Sequence, residues 1–312
     1  MERRALGRSG FEVSRIILGC GNFGGIGSAP EFFGGGENDE EAAAIMDRAW
    51  ELGIATFDTA DAYGGGRSEL AIGRWMASRG VRPALTTKTF NPMSAGADHG
   101  LAPERIGRQL ESSLERLGVD RVDLYMTHEP DPDTPLSDTL AALDDLVAAG
   151  RIGAYGGSNV DGPVLGEARG RYAWVQDSYS LLERADEADV LPLCEAEGLG
   201  YTPFSPLAGG WLAGRYRRGE TVPTGSRMAL RPGPYAHLDR EEVWRGLEAF
   251  RGRAAAYGVE MATLAFAWLL SDPRVTAVIV GPRRPEHLDP AVRALELGLS
   301  TAERAELASL FD

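Results

Sequence analysis

Four titratable residues with complementary chemistry lie at related points of the sequence. Asp58 ends the apolar run "IATFD", Lys88 ends "PALTTK", His128 ends "VDLYMTH", and Tyr63 follows Asp58 by five residues. A phenol has a pKa of ~10, so a nearby ammonium is expected to lower the pKa of Tyr63 toward neutrality. Asp58 would keep Lys88 charged and aimed, and His128 would hydrogen-bond a substrate oxygen. Such a set predicts protonation of an oxygen that becomes an alcohol, and hence carbonyl reduction with hydride from a cofactor.

Each of these residues taken alone also has a structural interpretation. A single aspartate can cap a turn, a single lysine is usually solvated, and a single histidine is often a hydrogen-bonded core residue. The functional interpretation therefore depends on an architecture that places Asp58, Lys88 and His128 at equivalent points.

The elements that would position them are eight short runs rich in branched and aromatic residues. These predicted strands are residues 15–20, 54–58, 83–88, 122–128, 152–158, 172–176, 199–205 and 275–281. All neighbours except the last two are separated by a single helical pattern, and parallel strands need such crossovers. The sequence therefore predicts a closed (β/α)₈ barrel formed by a single domain, residues 1–312. The opening "RRALGRSGFEVS" predicts a β-hairpin at the barrel floor.

Several helices have clear boundary signals. Asn38 and Glu41 form a predicted capping box, and Pro103 and Gly118 are the predicted start and end of a helix. The predicted helices without such strong signals span 162–169, 189–197, 241–257, 261–271 and 300–311, and another ends at Gly150. The stretches 21–37 and 207–240 are long, irregular and rich in Gly and Pro, which is typical of functional or mobile loops.

In a (β/α)₈ barrel the active site lies at the carboxyl ends of the strands. Asp58, Lys88 and His128 end three successive predicted strands, and Tyr63 lies just beyond the first of them. The predicted fold thus brings all four to one side of the barrel mouth.

Composition limits the partners of this protein. The 312 residues carry a net charge of −14, which argues against a nucleic-acid partner. The longest apolar stretch, "TLAFAWLL", is too short for a membrane span, and the amino terminus lacks a signal-peptide core. Cys20 and Cys194 do not suggest a disulfide framework, and the four histidines lack metal-site spacing. We expect a cytoplasmic protein with a small-molecule substrate and no metal; the oligomeric state is left open.

One glycine motif suggests a dinucleotide site of another kind. "GCGNFG", with Gly19, Gly21 and Gly24, matches the G-x-G-x-x-G fingerprint. That fingerprint requires a helix to begin at once, whereas "GIGSAPEFFGGG" follows here. We interpret this stretch as a loop over the barrel mouth.

Several segments together resemble the aldo-keto reductase family along nearly the whole chain. "FDTADAYG", "TTK" and "DLYMTHEPDPDTP" are similar to the family's aspartate–tyrosine, lysine and histidine motifs, and "GRIGAYGGSN" and "FSPLAGGWLAGRY" follow in the family's order. The motifs are related to the branch that contains potassium-channel β-subunit-like proteins. The resemblance implies a (β/α)₈ barrel that binds NADPH without a Rossmann domain. It also implies a catalytic tetrad of Asp58, Tyr63, Lys88 and His128, with Tyr63 as the general acid.

The resemblance further implies a cofactor site. Ser158, Asn159 and Gln176 would hydrogen-bond the nicotinamide carboxamide, and Phe204 would stack on its ring. The other cofactor positions are Gly19, Cys20, Gly21, Ser205, Pro206, Leu207, Gly209, Gly210, Arg215, Arg227, Gly281, Arg283 and His287. The predicted substrate pocket consists of Asn22, Phe23, Phe90 and Glu129.

The segment "VIVGPRRPEHLDP" departs from the family pattern. His287 replaces a glutamine, and Pro290 and Ala291 replace the Glu-Asn pair that holds the adenine. Arg283 and Arg284 still offer planar forks for a 2′-phosphate, which favours NADPH over NADH.

Two other functions are compatible with parts of the sequence. A redox-sensing or regulatory subunit could bind NADP(H) with little turnover, although it has less need of a complete tetrad. A Schiff-base lyase could use Lys88, but would leave the Asp58–Tyr63 spacing unexplained.

Overall fold

Strands and helices alternate along the chain in the computed structural model, which describes residues 1–312. The strands are β1 (Arg3–Ala5), β2 (Glu12–Ser14), β3 (Ile16–Gly19), β4 (Thr56–Asp58), β5 (Ala84–Thr89), β6 (Val122–Thr127), β7 (Ile152–Ser158), β8 (Trp174–Gln176), β9 (Gly200–Tyr201) and β10 (Val278–Val280). The helices are α1 (Asp39–Glu51), α2 (Arg67–Arg79), α3 (Pro103–Leu117), α4 (Leu136–Ala148), α5 (Gly162–Glu167), α6 (Val190–Glu197), α7 (Arg227–Leu230), α8 (Glu241–Ala256), α9 (Met261–Leu270), α10 (Asp289–Ala294) and α11 (Thr301–Ser309).

Strands β3 to β10 form one parallel sheet in the order β10-β3-β4-β5-β6-β7-β8-β9. Two backbone hydrogen bonds join its ends: Thr276 donates to Tyr201 O at 2.8 Å, and Ile279 donates to Pro203 O at 3.0 Å. The sheet is therefore the predicted (β/α)₈ barrel, and each of the eight predicted strand runs overlaps one of its strands.

The predicted helix boundaries agree with local signals. Asn38 and Glu41 form the capping box of α1, with Asn38 Oδ1 accepting from the backbone of Glu40 and Glu41 at 3.0 Å. Pro103 begins α3, and Gly118 ends it in the left-handed conformation. Helix α10, which was not predicted, has Pro290 in its first turn.

The amino-terminal hairpin covers one end of the barrel, as predicted. β1 pairs antiparallel with β2, and Leu6 and Val13 are buried in a cluster of nine residues that point into the barrel. The cluster also contains Ile17, Leu124, Met126, Ala173, Trp174, Ala277 and Ile279. The hairpin therefore closes the floor and leaves the carboxyl ends of the strands open for a site.

A larger core of 63 buried residues fills the space between the sheet and the helices. Helix α9 is the most apolar helix; all ten of its residues are buried, and all except Thr263 belong to this core. None of the helices has the length and apolar character needed to cross a bilayer.

Side chains of β5 alternate between the site and the elements that surround the barrel. Lys88 is fully buried and pairs with Asp58, whereas its neighbours Thr87 and Thr89 hydrogen-bond Glu69 and Asp61. Successive side chains of a strand point to opposite faces. Lys88 therefore faces the barrel interior and the site, whereas Thr87 and Thr89 face the elements packed around the barrel.

Candidate active site

The four residues predicted to be catalytic meet at the carboxyl end of the barrel. Asp58 and Lys88 lie on β4 and β5, and His128 follows β6 directly. Lys88 Nζ is 2.5 Å from Asp58 Oδ1 and 5.1 Å from the centroid of the Tyr63 ring. Tyr63 Oη is 3.5 Å from His128 Nε2. The structure thus brings together side chains that are separated by up to 70 positions in the sequence, since 128 − 58 = 70.

The turn after β4 places Tyr63 over the barrel. Gly64, Gly65 and Gly66 all adopt positive φ angles, between 59° and 89°. A Cβ atom on Gly64 would lie 2.7 Å from the carbonyl oxygen of Gly24, so the loop after β3 packs directly on this turn. The glycines next to Tyr63 are therefore needed for the turn and for this close approach.

Lys88 and Asp58 form a buried ion pair. Their side chains are 0% and 5% exposed, and each has a second partner: Lys88 Nζ donates to Thr59 O at 2.8 Å, and Gln176 Nε2 donates to Asp58 Oδ2 at 2.9 Å. Burial lowers the pKa of Lys88, but the charge of Asp58 and the contacts with Tyr63 outweigh it, and the net pKa is raised. Lys88 is therefore charged at neutral pH, as predicted.

The pKa of Tyr63 differs from the prediction. Burial raises it above its ordinary value, and although Lys88 lowers it, the desolvation of a phenolate at this position is the larger effect. The expected net lowering of the Tyr63 pKa was therefore wrong. Tyr63 consequently holds its proton at neutral pH, which is the state a proton donor requires.

His128 is a neutral imidazole. Burial, and secondly the charge of Lys88, lower its pKa to about 3. Asn91 Nδ2 is 3.3 Å from His128 Nδ1, and Asn159 Nδ2 donates to the backbone oxygen of His128 at 2.9 Å. Asn91 thus contacts the ring and Asn159 the backbone of His128, and the ring also packs edge-on against Tyr63, with centroids 5.4 Å apart.

Three residues predicted to bind the nicotinamide carboxamide adjoin the ion pair. Ser158 Oγ donates to Gln176 O at 2.6 Å, and Asn159 Nδ2 is 3.3 Å from Ser158 Oγ. Asn159 has a φ of 55°, an uncommon conformation that turns the chain sharply at the end of β7. The amide of Gln176, which bonds Asp58, and the amide of Asn159 supply donors and acceptors that fit a carboxamide.

The loop after β9 has an unusually curled backbone. Ser205, Ala208, Gly209 and Gly210 all have positive φ angles, and Ser205 Oγ is 2.9 Å from Tyr235 Oη. A Cβ atom on Gly209 would lie 2.7 Å from the Tyr235 ring. Small residues therefore let residues 205–210 pack closely under the segment that contains Tyr235. The other predicted cofactor residues of this loop are Pro206, which is buried, and Phe204 and Leu207, which are partly exposed.

Hydrogen bonds connect two long loops beside the barrel mouth. Arg227 Nη2 donates to Asn22 Oδ1 at 2.9 Å, and Arg283 Nε donates to Glu37 Oε1 at 2.7 Å. Arg283 Nη1 also donates to Gly225 O at 2.6 Å. These contacts join the loop 21–37, the loop 207–240 and the end of β10 around a small crevice.

The remaining predicted cofactor residues lie near this crevice or at the surface. Arg215 is exposed, and His287 Nδ1 accepts from the backbone of Arg283 at 3.2 Å. Burial, and then Arg284, lower the pKa of His287. A Cβ atom on Gly281 would lie 3.9 Å from the carbonyl oxygen of Gly19 and 4.0 Å from Asn22 Nδ2, which is ordinary van der Waals contact. Arg227 also has a lowered pKa because of burial.

Two predicted site residues belong to the core. Phe23 is 0% exposed, and Cys20 is 0% exposed with its backbone N donating to Asp58 O at 2.8 Å. Burial raises the pKa of Cys20 well above its ordinary value, so its thiol is inert. The complete burial of Phe23 argues against its predicted place in the substrate pocket, and the side chain of Cys20, a predicted cofactor residue, is buried as well.

The other predicted site residues around the barrel mouth differ in their solvent exposure. Gly21 lies against Tyr63, because a Cβ there would be 3.4 Å from the ring, and Gly19 ends β3 beside Ile279. Phe90 is partly exposed and packs edge-on against His99, and Glu129 is exposed. Asn22 is buried and used by Arg227, which makes it a loop anchor rather than a substrate contact.

Two residues of the site were not predicted. Asn91 follows Lys88 by three residues and lies at the same strand end, so the argument that identified Lys88 would also have found it. Glu37 is 4% exposed and its Oε2 atom has no hydrogen-bond partner, but nothing in the local sequence distinguishes it from its acidic neighbours.

The barrel and the buried ion pair beside a phenol and an imidazole together define a (β/α)₈ oxidoreductase. The model of the Aldo/keto reductase family matches residues 15–312. This protein therefore belongs to the aldo/keto reductase family, whose members generally use nicotinamide cofactors.

Full-length relatives agree with this assignment. The chain is 37% identical to the uncharacterized oxidoreductase YrpG of Bacillus subtilis, over 96% of this chain and 92% of YrpG. It is 32% identical to the NADH-specific methylglyoxal reductase of Escherichia coli, over 97% of this chain and 96% of the reductase. It is also 32% identical to a probable voltage-gated potassium channel subunit beta of Oryza sativa, over 95% of this chain and 92% of that subunit.

Proposed function

We propose that this protein reduces an aldehyde or ketone to an alcohol with NADPH, and that Tyr63 is the general acid. The observation that supports this most directly is the placement of the Tyr63 hydroxyl, which lies 3.5 Å from His128 Nε2 while its ring lies over the Lys88 ammonium. No other group at the mouth combines a transferable proton with two such neighbours.

Each side chain has a defined task in this mechanism. Tyr63 Oη carries its proton at neutral pH and transfers it to the carbonyl oxygen. Lys88 stabilises the phenolate that remains, because its positive charge is fixed in place by Asp58. His128 Nε2 hydrogen-bonds the same oxygen and orients the carbonyl. A bound nicotinamide supplies the hydride.

NADPH remains the proposed cofactor, although Arg283, which was predicted to bind its 2′-phosphate, also pairs with Glu37. The Arg283 guanidinium donates to Glu37 and to the carbonyl of Gly225, so these two groups compete with a phosphate for it. Arg215, Arg227 and Arg284 add positive charge nearby, which favours a 2′-phosphate. The NADH-specific reductase among the relatives makes NADH the alternative. Arg283→Ala should raise KM for NADPH more than KM for NADH; equal effects, or lower KM for NADH in the unaltered protein, would contradict the preference.

The test of the reaction is Tyr63→Phe assayed with a panel of aldehydes and ketones. Removing the proton donor should lower kcat by about 10²–10⁴-fold and leave NADPH binding, followed by tryptophan fluorescence, unchanged. Tyr257→Phe is the matched control, because Tyr257 Oη bonds only Glu303 on a remote helix. Turnover that persists in Tyr63→Phe would mean that another group donates the proton.

A regulatory subunit that binds NADP(H) is the second candidate, because a potassium channel subunit beta is among the relatives. The two functions differ in turnover. An enzyme consumes many equivalents of NADPH per protein molecule with its preferred carbonyl, whereas a sensor stops after about one. The methylglyoxal reductase among the relatives makes small dicarbonyls the first substrates to test.

A further inference from the structure

Asn91 contacts the nitrogen of His128 that faces away from Tyr63. Asn91 Nδ2 is 3.3 Å from His128 Nδ1, and Tyr63 Oη is 3.5 Å from His128 Nε2 on the opposite side of the ring. Both nitrogens of the imidazole are therefore occupied, one by an amide and one by the phenol that donates the proton in the proposed reaction.

This arrangement selects one tautomer of the ring. The side-chain NH₂ of asparagine only donates, so His128 Nδ1 must accept. His128 is neutral, because burial and Lys88 keep its pKa far below neutral pH, and a neutral imidazole carries a single N–H proton. That proton must then lie on Nε2, directed toward Tyr63 and the space in front of it.

Asn91 is itself fixed by a buried arginine. Arg105, which is 3% exposed, extends from α3 and donates to Asn91 O at 2.8 Å and to Gly100 O at 3.0 Å. The same guanidinium donates to Thr89 Oγ1 at 2.9 Å, and Thr89 in turn donates to Asp61 Oδ2 at 2.7 Å. Hydrogen bonds from one buried guanidinium therefore tie the backbone of Asn91 to Thr89 and Gly100.

We propose that Asn91 is a positioning residue that keeps His128 in the Nε2-protonated form, so that the ring donates a hydrogen bond to the substrate oxygen. The inference rests on the proposed carbonyl reduction. A carbonyl oxygen accepts hydrogen bonds only, so the other tautomer would present a lone pair to it and weaken binding of the transition state.

The tautomer can be measured without any turnover. In protein labelled with ¹⁵N-histidine, two-bond ¹⁵N–¹H spectra distinguish the two tautomers, and His128→Gln identifies the signal among four histidines. We expect Nε2 protonation in the unaltered protein and Nδ1 protonation in Asn91→Asp, where a carboxylate can only accept. Nδ1 protonation in the unaltered protein, or an unchanged tautomer in Asn91→Asp, would overturn the proposal.

Kinetics then separate positioning from a structural role. Asn91→Asp should lower kcat by about 10–100-fold, with KM changed by less than about threefold. Asn91→Leu, which removes the donor without adding a charge, should lower kcat in the same direction and give a mixture of tautomers. The matched control is Asn38→Asp, the same chemical change at a helix cap where Asp serves equally well. Unchanged kcat in both Asn91 variants would refute the role. If the unaltered protein reduces no carbonyl, the proposed function fails, while the spectra still decide the tautomer.

Discussion

The Lys88–Asp58 pair allows a quantitative test of the site. Both side chains are almost fully buried, so Lys88→Met would leave the Asp58 carboxylate with Gln176 as its one side-chain partner. Breaking a buried pair by removing one member costs about 3–5 kcal/mol of the free energy of unfolding. Total stability is usually about 5–15 kcal/mol, so the loss is large but survivable. With a slope of about 3 kcal/mol/M, the urea midpoint should fall by about 1 M or more.

The double variant provides the internal control. Asp58→Asn also breaks the ion pair and should cost a similar amount, because the buried Lys88 ammonium is then left with uncharged oxygens such as the carbonyl of Thr59 and no carboxylate. Asp58→Asn combined with Lys88→Met leaves no unpaired buried charge. Its cost should therefore be smaller than the sum of the two single variants by about 2–3 kcal/mol.

The stability of the Asp58→Asn variant should change with pH in a definite direction. In the unaltered protein the pKa of Lys88 is raised, so its contribution to stability is present below the unfolded value of about 10.4 and is lost as pH rises through the folded value. Without the carboxylate, burial dominates and lowers the pKa of Lys88. The variant should then regain stability as the ammonium loses its proton, and the difference from the unaltered protein should narrow from pH 7 to pH 10.

Urea titrations at several pH values, followed by far-UV circular dichroism, measure all of these quantities. Two single variants whose costs simply add in the double variant would refute the assignment of a coupled buried pair. So would a stability difference between Asp58→Asn and the unaltered protein that widens with rising pH.

Two further substitutions test the loops around the mouth. Glu37→Gln removes the charge that neutralises Arg283 and should strengthen NADPH binding relative to NADH by about threefold to fivefold, equivalent to ~1 kcal/mol, in fluorescence titrations; equal changes for both nucleotides would contradict this role. Gly209→Ala should cost about 1–2 kcal/mol of the free energy of unfolding, because its φ is 64° and its Cβ would meet the ring of Tyr235. Gly252→Ala, in open space on exposed α8, should instead stabilise the protein by ~1 kcal/mol, and a loss there would question the helix.

The barrel was predictable because its signals are local. The capping box of Asn38 and Glu41, the proline and glycine at the ends of α3, and the branched runs of the strands each act within a few residues. Asp58, Lys88 and His128 were found by the same reasoning, since each ends a run that is recognisable from its own composition. Helix α10 was missed because its six residues are too few to give a clear periodic signal.

The environments of the site residues could not be predicted in the same way. Arg283 was expected to be a free phosphate fork, yet it pairs with Glu37, 246 positions away in the sequence. Phe23 was expected in the substrate pocket, but the packing of the loop after β3 buries it completely. Neither outcome could be predicted from a short stretch of sequence, because both depend on which distant loops pack together at the barrel mouth.

The sequence by itself determined which chemical groups are present and at which strand ends they lie. Only the tertiary structure decided their ionisation and hydrogen bonding. Burial raises the pKa of Tyr63 against the effect of Lys88, and Asn91 lies within hydrogen-bond distance of His128 Nδ1. The reason is physical. Desolvation and charge–charge interactions vary with distance and burial, and those are fixed when segments far apart in the chain pack together.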